Sequence, residues 1–417
     1  MAFQIFNHFM PKQKIITGLD IGTYSIKALT VSQKPDSDNL EVLGKVESPS
    51  FGTRRGIVIK IDDVSRHVGE ALRQLQQITG QKIEDVYVNI GGSHIFCTCS
   101  RGTVIVSRAD QKISEEDVNR VVRAAEAFSL PSNKEILEVF PKEFIVDGEK
   151  IKEPRDMQGL RLEVDVLALC GFSPYLKNLT SAVLGAGFQV SDVFLSALAS
   201  AKAVLSPRQK ELGVCVLDIG AGTTDLIVYE GGDLVHAAVL PIGSERITYD
   251  LAVGLKTDVE IAEKIKQEFG SCLLQGSDKK ERIEIPQDSG SGSEFLTFSH
   301  KMLVKIIVAR VSEIFSLAEK ELKNISPQNL LPAGIVLTGG GAKLPKIVEL
   351  AKKELKLPVR IGLAQGLEGL ERDASLSTVC GLVLSANEIM EDRGRRPKAL
   401  STGITAKLKK AFKVFLP

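Results

Sequence analysis

KIITGLDIGTYSIKALTV, from Lys14 to Val31, is one of two passages that decide the fold. The other is GVCVLDIGAGTTDLIVYEGGDLV, from Gly213 to Val235. Each has an apolar strand, then Asp-Ile-Gly, then a polar turn, then a second β-rich run. That order reads as a β-hairpin with a glycine-rich tip. The copies start about 200 residues apart. A repeat at that distance predicts a duplicated α/β architecture, two related lobes with one hairpin tip each.

The tips have the chemistry of a phosphate cradle, which needs inward backbone N–H groups and little side-chain bulk. Gly22 supplies this in the first hairpin, and Gly220 and Gly222 in the second. Thr23, Thr223 and Thr224 can add hydroxyl donors. Asp20 and Asp218 close the apolar strands at the mouths of the loops. Carboxylates there suit Mg²⁺, an oxygen-seeking ion that keeps several waters, so contact through water is expected. A third element, IVLTGGGAKLPKIVELA from Ile335 to Ala351, is a strand running into Gly339, Gly340 and Gly341 and then a helix. Glycines in that place let a flat base or ribose approach the backbone. One Asp-x-Gly tip is a common turn. Two tips and a strand-Gly-Gly-Gly-helix in one chain predict a nucleotide site between the lobes.

Other chemistries find no support. There is no Gly-x-x-x-x-Gly-Lys-Ser/Thr loop, and GGGAKL is not a dinucleotide fingerprint. The six cysteines include no Cys-x-x-Cys pair and the five histidines are scattered, so zinc is not expected. Free thiols fit a reducing cytosol. The 417 residues exceed one ordinary core, and 43% hydrophobic with 25% charged residues is a globular composition. A formal net charge of +1 offers no whole-chain attraction to nucleic acid, and no such partner is expected. No apolar run has the length of a spanning helix, and MAFQIFNHFMPKQK makes a poor signal peptide. Residues 2–10 are apolar enough for a short surface helix or a frayed tail, alternatives the sequence leaves open.

Between the hairpins, residues 85–166 have their own alternation of elements and read as an inserted subdomain. YVNIGG, TVIVS and EFIVDG look like strands. SEEDVNRVVRAAEAFS looks like a helix with Ser114 as N-cap and, because Asp117 stands where Glu or Gln is preferred, a weak capping box. Ser173–Gly187 and Asp192–Leu205 read as helices, and QGSDKKERIEIPQDSGSGSEF as a polar loop around one short strand. A long amphipathic helix is expected from Ser299 to Asn324 and a small-residue helix from Asp373 to Asn387.

Residues 391–403 read as a polar, basic linker leading to ITAKLKKAFKVFLP, residues 404–417. At helical spacing Ile404, Leu408, Phe412 and Phe415 share one face, with Lys409, Lys410 and Lys413 on the opposite arc. A basic amphipathic segment without acidic residues, on a polar tether, predicts a membrane-surface anchor.

The three glycine elements, in this order, resemble the two phosphate loops and the adenosine loop of the actin, heat-shock chaperone and sugar kinase ATPase superfamily. Within it, residues 14–390 resemble the FtsA family of bacterial division proteins. The resemblance is carried by GTRRGIVIKIDDV at Gly52, ISEEDVNRVVRAAEA at Ile113, VFPKEFIVDGEKIKEPRDMQGLRLEVDV at Val139 and ARVSEIFSLAEKEL at Ala309. It implies an actin-like fold around an ATP and Mg²⁺ cleft, with the FtsA-type insertion. It divides the chain into a first lobe (1–84, 167–206, 373–390), the insert (85–166), a second lobe (207–243, 304–372) and a small subdomain (244–303). It adds Glu263 and Lys266 as adenosine-side residues. It implies a head-to-tail polymer at the division site, on the cytoplasmic side of the inner membrane, docking the C-terminal tail of FtsZ on residues 244–303 and working with other division proteins. Ser196 stands where relatives carry a Glu or Gln that positions water. The resemblance therefore implies slow hydrolysis at most, since serine is a poor base. A scaffold resembling the pilus protein PilM, and a small-molecule kinase of the same superfamily, are the rival readings.

Overall fold

Both quoted passages fold as antiparallel hairpins: Lys14–Ile21 with Ser25–Gln33, and Val214–Ile219 with Thr224–Glu230. The computed structural model describes residues 14–33, 39–274, 282–289, 292–325 and 331–395. Each hairpin takes a third antiparallel strand, Leu40–Pro49 or Asp233–Leu240. On its other side it takes a parallel neighbour, Asp85–Ile90 or Ile335–Thr338. A second parallel strand follows, Gln189–Leu195 or Val359–Ile361. The two sheets thus share one strand order, and the first adds only Leu367–Glu368 at its edge. This is the duplication expected from the repeat. Strands such as Val214–Ile219 are apolar almost throughout because both faces are covered.

Two small-residue helices, Ser196–Val204 and Ser377–Arg395, pack on one another and touch both sheets. Their backbones meet at Gly381, where a Cβ would lie 1.7 Å from the Ala199 carbonyl oxygen. Any side chain there would push the two helices apart, so their close packing requires glycine at that position.

The insert is a separate antiparallel sheet, ordered Phe96–Ile105, Arg161–Phe172, Lys134–Val146, Glu149–Ile151, with its own small core around Val121, Ala125, Leu162 and Val164. The helix Glu115–Glu126 covers it. The box expected to be weak is complete: Asp117 N–H donates to Ser114 Oγ at 3.2 Å, and Ser114 N–H donates to Asp117 Oδ2 at 3.0 Å. The insert also reaches the second lobe. Cys97 Sγ lies 3.6 Å from His236 Nδ1, and Lys152 Nζ donates to the Gly231 carbonyl at 3.1 Å.

Four element readings need correction. Asp85–Ile90, placed in the insert from sequence, pairs in the first sheet, because its apolar run is the parallel neighbour that the first hairpin needs. Asp192–Leu195, read as helix, is strand, and the helix starts at Ser196. The segment read as one short strand in a loop holds two, Arg282–Ser289 and Gly292–Ser299. Ile283 faces Phe298 and Ile285 faces Leu296, and this apolar stripe packs on the second-lobe core. The helix ending at Arg395 runs past Glu391, where the linker was expected to begin. The segment 404–417 lies outside the described residues, as do residues 1–13. Among the described residues no helix is long and apolar enough to cross a membrane.

Candidate functional site

The two hairpins end in the same turn. Gly22 N–H donates to the Ser25 carbonyl at 3.1 Å, and Gly220 N–H to the Thr223 carbonyl at 2.9 Å. Both turns open into a single cleft of about 1010 Å³ between the lobes. They approach closely: a Cβ built on Gly222 would lie 2.8 Å from Thr23 Oγ1. Asp20, Gly22, Thr23, Asp218, Gly220, Gly222, Thr223, Glu263, Lys266, Gly339, Gly340 and Gly341 all line the cleft.

Thr224 does not. Its side chain is fully buried, and its hydroxyl donates to the Ile242 carbonyl at 2.9 Å. Strand alternation explains this. Thr224 opens the returning strand, so it points to the opposite face from its neighbours Thr223 and Asp225.

Register sets the charges. Asp20 sits across from Lys27, and Asp218 across from Asp225. Lys27 Nζ is held by Ser25 Oγ at 2.9 Å and Glu47 at 3.6 Å. Burial lifts the Asp20 carboxyl to about 6; nearby Lys27 works against the rise and Asp218 adds to it. Burial also raises Asp218, opposed by hydrogen bonds from Ser200 and Thr378. Asp225 is raised furthest, by burial and then by the charges of Asp218 and Asp20. Its Oδ1 is buried with no hydrogen-bond partner. Three acids share this low-dielectric corner, with Lys27 the cation placed to offset them. An arrangement short of positive charge and holding an orphaned carboxylate oxygen fits a divalent cation.

Asn89 completes the first tip. Its amide donates to Asp20 Oδ1 at 2.7 Å and to Ser196 Oγ at 3.1 Å, and its carbonyl oxygen accepts from Ile21 N–H at 2.8 Å. On the opposite wall Lys266, nine-tenths buried, lies 2.6 Å from Glu263 and donates to Thr248 Oγ1 at 2.9 Å. Burial alone would raise Glu263, but the Lys266 charge and hydrogen bond outweigh it and hold it low.

The glycine run has a different reason at each position. Gly339 has φ +83°, and a Cβ there would meet Asp218 Oδ1 at 2.2 Å; at Gly341 it would meet Ile219 Cγ2 at 2.4 Å. Those two let the loop sit against the second hairpin. At Gly340 a Cβ would meet nothing within 4 Å, so this glycine leaves open space in the cleft wall.

A family model described as Cell division protein FtsA matches residues 215–381, and one described as SHS2 domain inserted in FTSA matches residues 92–170. Cell division protein FtsA of Borreliella burgdorferi is 37% identical over 409 residues, 96% of this chain and 97% of that protein. Its counterparts in Pseudomonas aeruginosa and Bacillus subtilis are 35% and 34% identical, over 89% and 93% of this chain and 89% and 87% of their own lengths. The chain belongs to the FtsA family of cell division proteins.

Solved structures bear out the actin-like fold of this FtsA-family chain. A PilM-PilN type IV pilus biogenesis complex chain superposes with a TM-score of 0.64 at 17% identity, over 89% of this chain and 98% of that one. MreB5 of Spiroplasma citri bound to ADP gives 0.55 at 13% identity, over 91% and 98%. At such identity these likenesses concern the fold. The SHS2 match supports FtsA over the PilM reading. It starts at residue 92, after the strand Asp85–Ile90.

Sequence reasoning missed Asn89, Lys27 and Asp225. Each left a signal. Asn89-Ile-Gly91 repeats the apolar strand followed by polar-Ile-Gly of the two tips. Lys27 and Asp225 lie seven residues beyond Asp20 and Asp218, the position that a tight hairpin folds back opposite the aspartate.

Proposed function

We propose that this FtsA-family chain binds ATP with Mg²⁺ in the cleft and couples that binding to assembly of a membrane-held division filament. The observation carrying the reading is the convergence of two identical aspartate-led turns on one cleft, beside the unpartnered Asp225 Oδ1. The backbone N–H groups and threonine hydroxyls of the tips, at Gly22, Thr23, Gly222 and Thr223, would take the phosphates. Asp20 and Asp218 would hold Mg²⁺, mainly through its waters. The ion neutralises phosphate charge when bound. Glu263 and Lys266 stand ready for the ribose, and Gly340 leaves room for the base.

Ser196 lines the cleft, and its Oγ accepts from Asn89. Serine is a poor base and a weak positioner of water, so ATP acts here mainly to close and order the cleft. Chains then assemble head to tail through heterologous contacts. The basic amphipathic segment 404–417 holds the polymer to the cytoplasmic face of the inner membrane, each short segment weak alone and strong in an array. The filament tethers FtsZ through its C-terminal tail, docking on residues 244–303.

Calorimetry of the purified chain with ATP, with and without Mg²⁺, tests the first step. No magnesium-dependent binding at millimolar ATP would sink it. Flotation with vesicles, with and without residues 404–417, tests the anchor. Binding to an FtsZ tail peptide rather than a pilus-protein peptide separates this reading from a PilM-like scaffold.

A further inference from the structure

The seam between the insert and the second lobe holds a cluster that the nucleotide cleft does not use. Cys97 lies on the insert strand Phe96–Ile105, His236 on the second-lobe strand Asp233–Leu240 and Glu321 on the helix His300–Ile325. Cys97 Sγ is 3.6 Å from His236 Nδ1, and His236 Nε2 is 3.2 Å from Glu321 Oε2. A carboxylate only accepts, so Nε2 carries the imidazole proton and Nδ1 turns a bare lone pair to the thiol. A thiol, a base and a carboxylate that orients the base are the parts of an activated nucleophile.

The surroundings decide how that set works. Burial holds the His236 imidazole below its usual value, opposed by the hydrogen bond and charge of Glu321 and aided by the charge of Lys142. Burial also pushes the Cys97 thiol up, and the Ala237 backbone works against the rise. Cys97 therefore rests as a thiol beside a neutral imidazole at pH 7. Such a pair reacts by passing the proton to the base as the sulfur attacks, without a standing thiolate.

The seam also has room beside it. Strand alternation puts Cys97 and Cys99 on one face of the insert sheet. At Cys97 that face packs against the core. At Cys99 it opens into a groove of about 510 Å³, whose walls include Arg101, Lys142, Glu143 and Asp165. Charges of both signs in one groove match a zwitterionic molecule built from amino acids. Of the six cysteines, four are buried, Cys97 is partly buried and Cys99 is exposed.

We propose that Cys97 is a thiol-modification site, taking a low-molecular-weight disulfide of amino-acid type from the adjoining groove, with His236 as its base and Glu321 as the positioning residue. The Cys97 sulfur attacks one sulfur of the disulfide while His236 Nδ1 accepts the thiol proton. A new S–S bond forms to Cys97, and the S–S bond of the disulfide breaks. The departing thiolate takes the proton from the imidazolium. Cys97 is oxidised, and half of the disulfide leaves reduced, as a thiol. The added group then lies at the contact between insert and lobe, and excess thiol removes it by the reverse exchange.

Glutathione disulfide is the probe, added to the full-length chain while mass spectrometry follows each adduct. A Cys99→Ser chain reports Cys97, and a Cys97→Ser chain reports Cys99. Without assistance the exposed Cys99 reacts faster. With His236 as base, Cys97 should be modified at least about tenfold faster than Cys99 at pH 7, the low end of what a positioned base supplies. The Cys99 rate should climb about tenfold per pH unit between pH 6 and 8 as its thiolate fraction grows. The Cys97 rate should be nearly level above pH 7, because the neutral imidazole is already in place. His236→Asn should slow Cys97 about tenfold or more and give it the steep profile of a lone thiol. Glu321→Gln, nearly the same in shape, should slow Cys97 by a smaller factor and leave Cys99 as it was. A Cys97 no faster than Cys99, or one with the same pH slope, overturns the proposal. So does a Cys97 rate unaltered in both the His236→Asn and the Glu321→Gln chains.

Discussion

Asn89 holds Asp20 at two levels, its amide donating to the carboxylate at 2.7 Å while its carbonyl oxygen accepts the N–H of Ile21, the next residue, at 2.8 Å. One side chain from a neighbouring strand thereby fixes both the charge and the backbone of the first tip.

Asn89→Ala should remove both constraints. Leaving Ile21 N–H and the buried carboxylate short of partners costs about 1–3 kcal/mol each before relaxation. A urea titration should show a loss of about 2–4 kcal/mol. Magnesium–ATP affinity should fall about tenfold or more by calorimetry. Unchanged affinity would mean that the tip is held without Asn89.

The nucleotide-free chain should lose stability as pH rises through 6. Asp20 titrates near 6 when folded, against an ordinary value of 3.8, so the folded state binds its proton more tightly. That contribution is fully present below about pH 4 and is lost as pH climbs through 6, up to roughly 3 kcal/mol for this group. Asp218 and Asp225, also raised, act in the same sense. Cation binding needs the ionised acids, so magnesium–ATP affinity should rise across the same window and protons should be released. Titrations in two buffers of different ionisation enthalpy measure that release, and equal heats in both would contradict it.

Gly340→Ala and Gly339→Ala should separate binding from folding. The first adds a methyl group in open space, so unfolding should move by less than about 0.5 kcal/mol, a typical surface change, while nucleotide affinity drops. The second places a Cβ 2.2 Å from Asp218 Oδ1 at a φ of +83°, and the protein should be destabilised by several kcal/mol, on the order of 3. Parallel melting curves and binding isotherms decide between these behaviours.

Lys266→Met should strand Glu263 in a partly buried wall. Removing one member of a buried pair costs about 3–5 kcal/mol, against less for Glu263→Gln, which keeps a hydrogen-bonding group beside Lys266 and Thr248. Both variants should weaken ATP binding. Chemical denaturation ranks them, and equal losses would show that the pair is not what Lys266 contributes.

Asp117→Ala should loosen the insert selectively. Burial pulls this carboxyl upward, yet hydrogen bonds from Ser114 and Ser107 hold it down at about 2. Its folded value lies below the unfolded one, so its stabilisation is present above about pH 4 and fades as pH falls toward 2. The variant should raise amide exchange across Glu115–Glu126 at neutral pH while the cleft hairpins exchange as before.

The Asp-Ile-Gly repeats determine the two-lobe architecture and the two glycine tips, because a hairpin with a glycine tip is encoded within about twenty residues. Thr224 was also within reach of the sequence: strand alternation turns it inward between Thr223 and Asp225. Neighbours distant in the chain were not encoded in that way. Only the fold brought Asn89 beside Asp20, 69 residues earlier, and Thr378 beside Asp218, 160 residues earlier. Only packing showed that Gly339 is small to clear Asp218 while Gly340 faces open space. Local patterns set which residues can turn, pair or cap. Which of them share one low-dielectric corner, and so which protons are held, depends on how the two sheets are brought face to face.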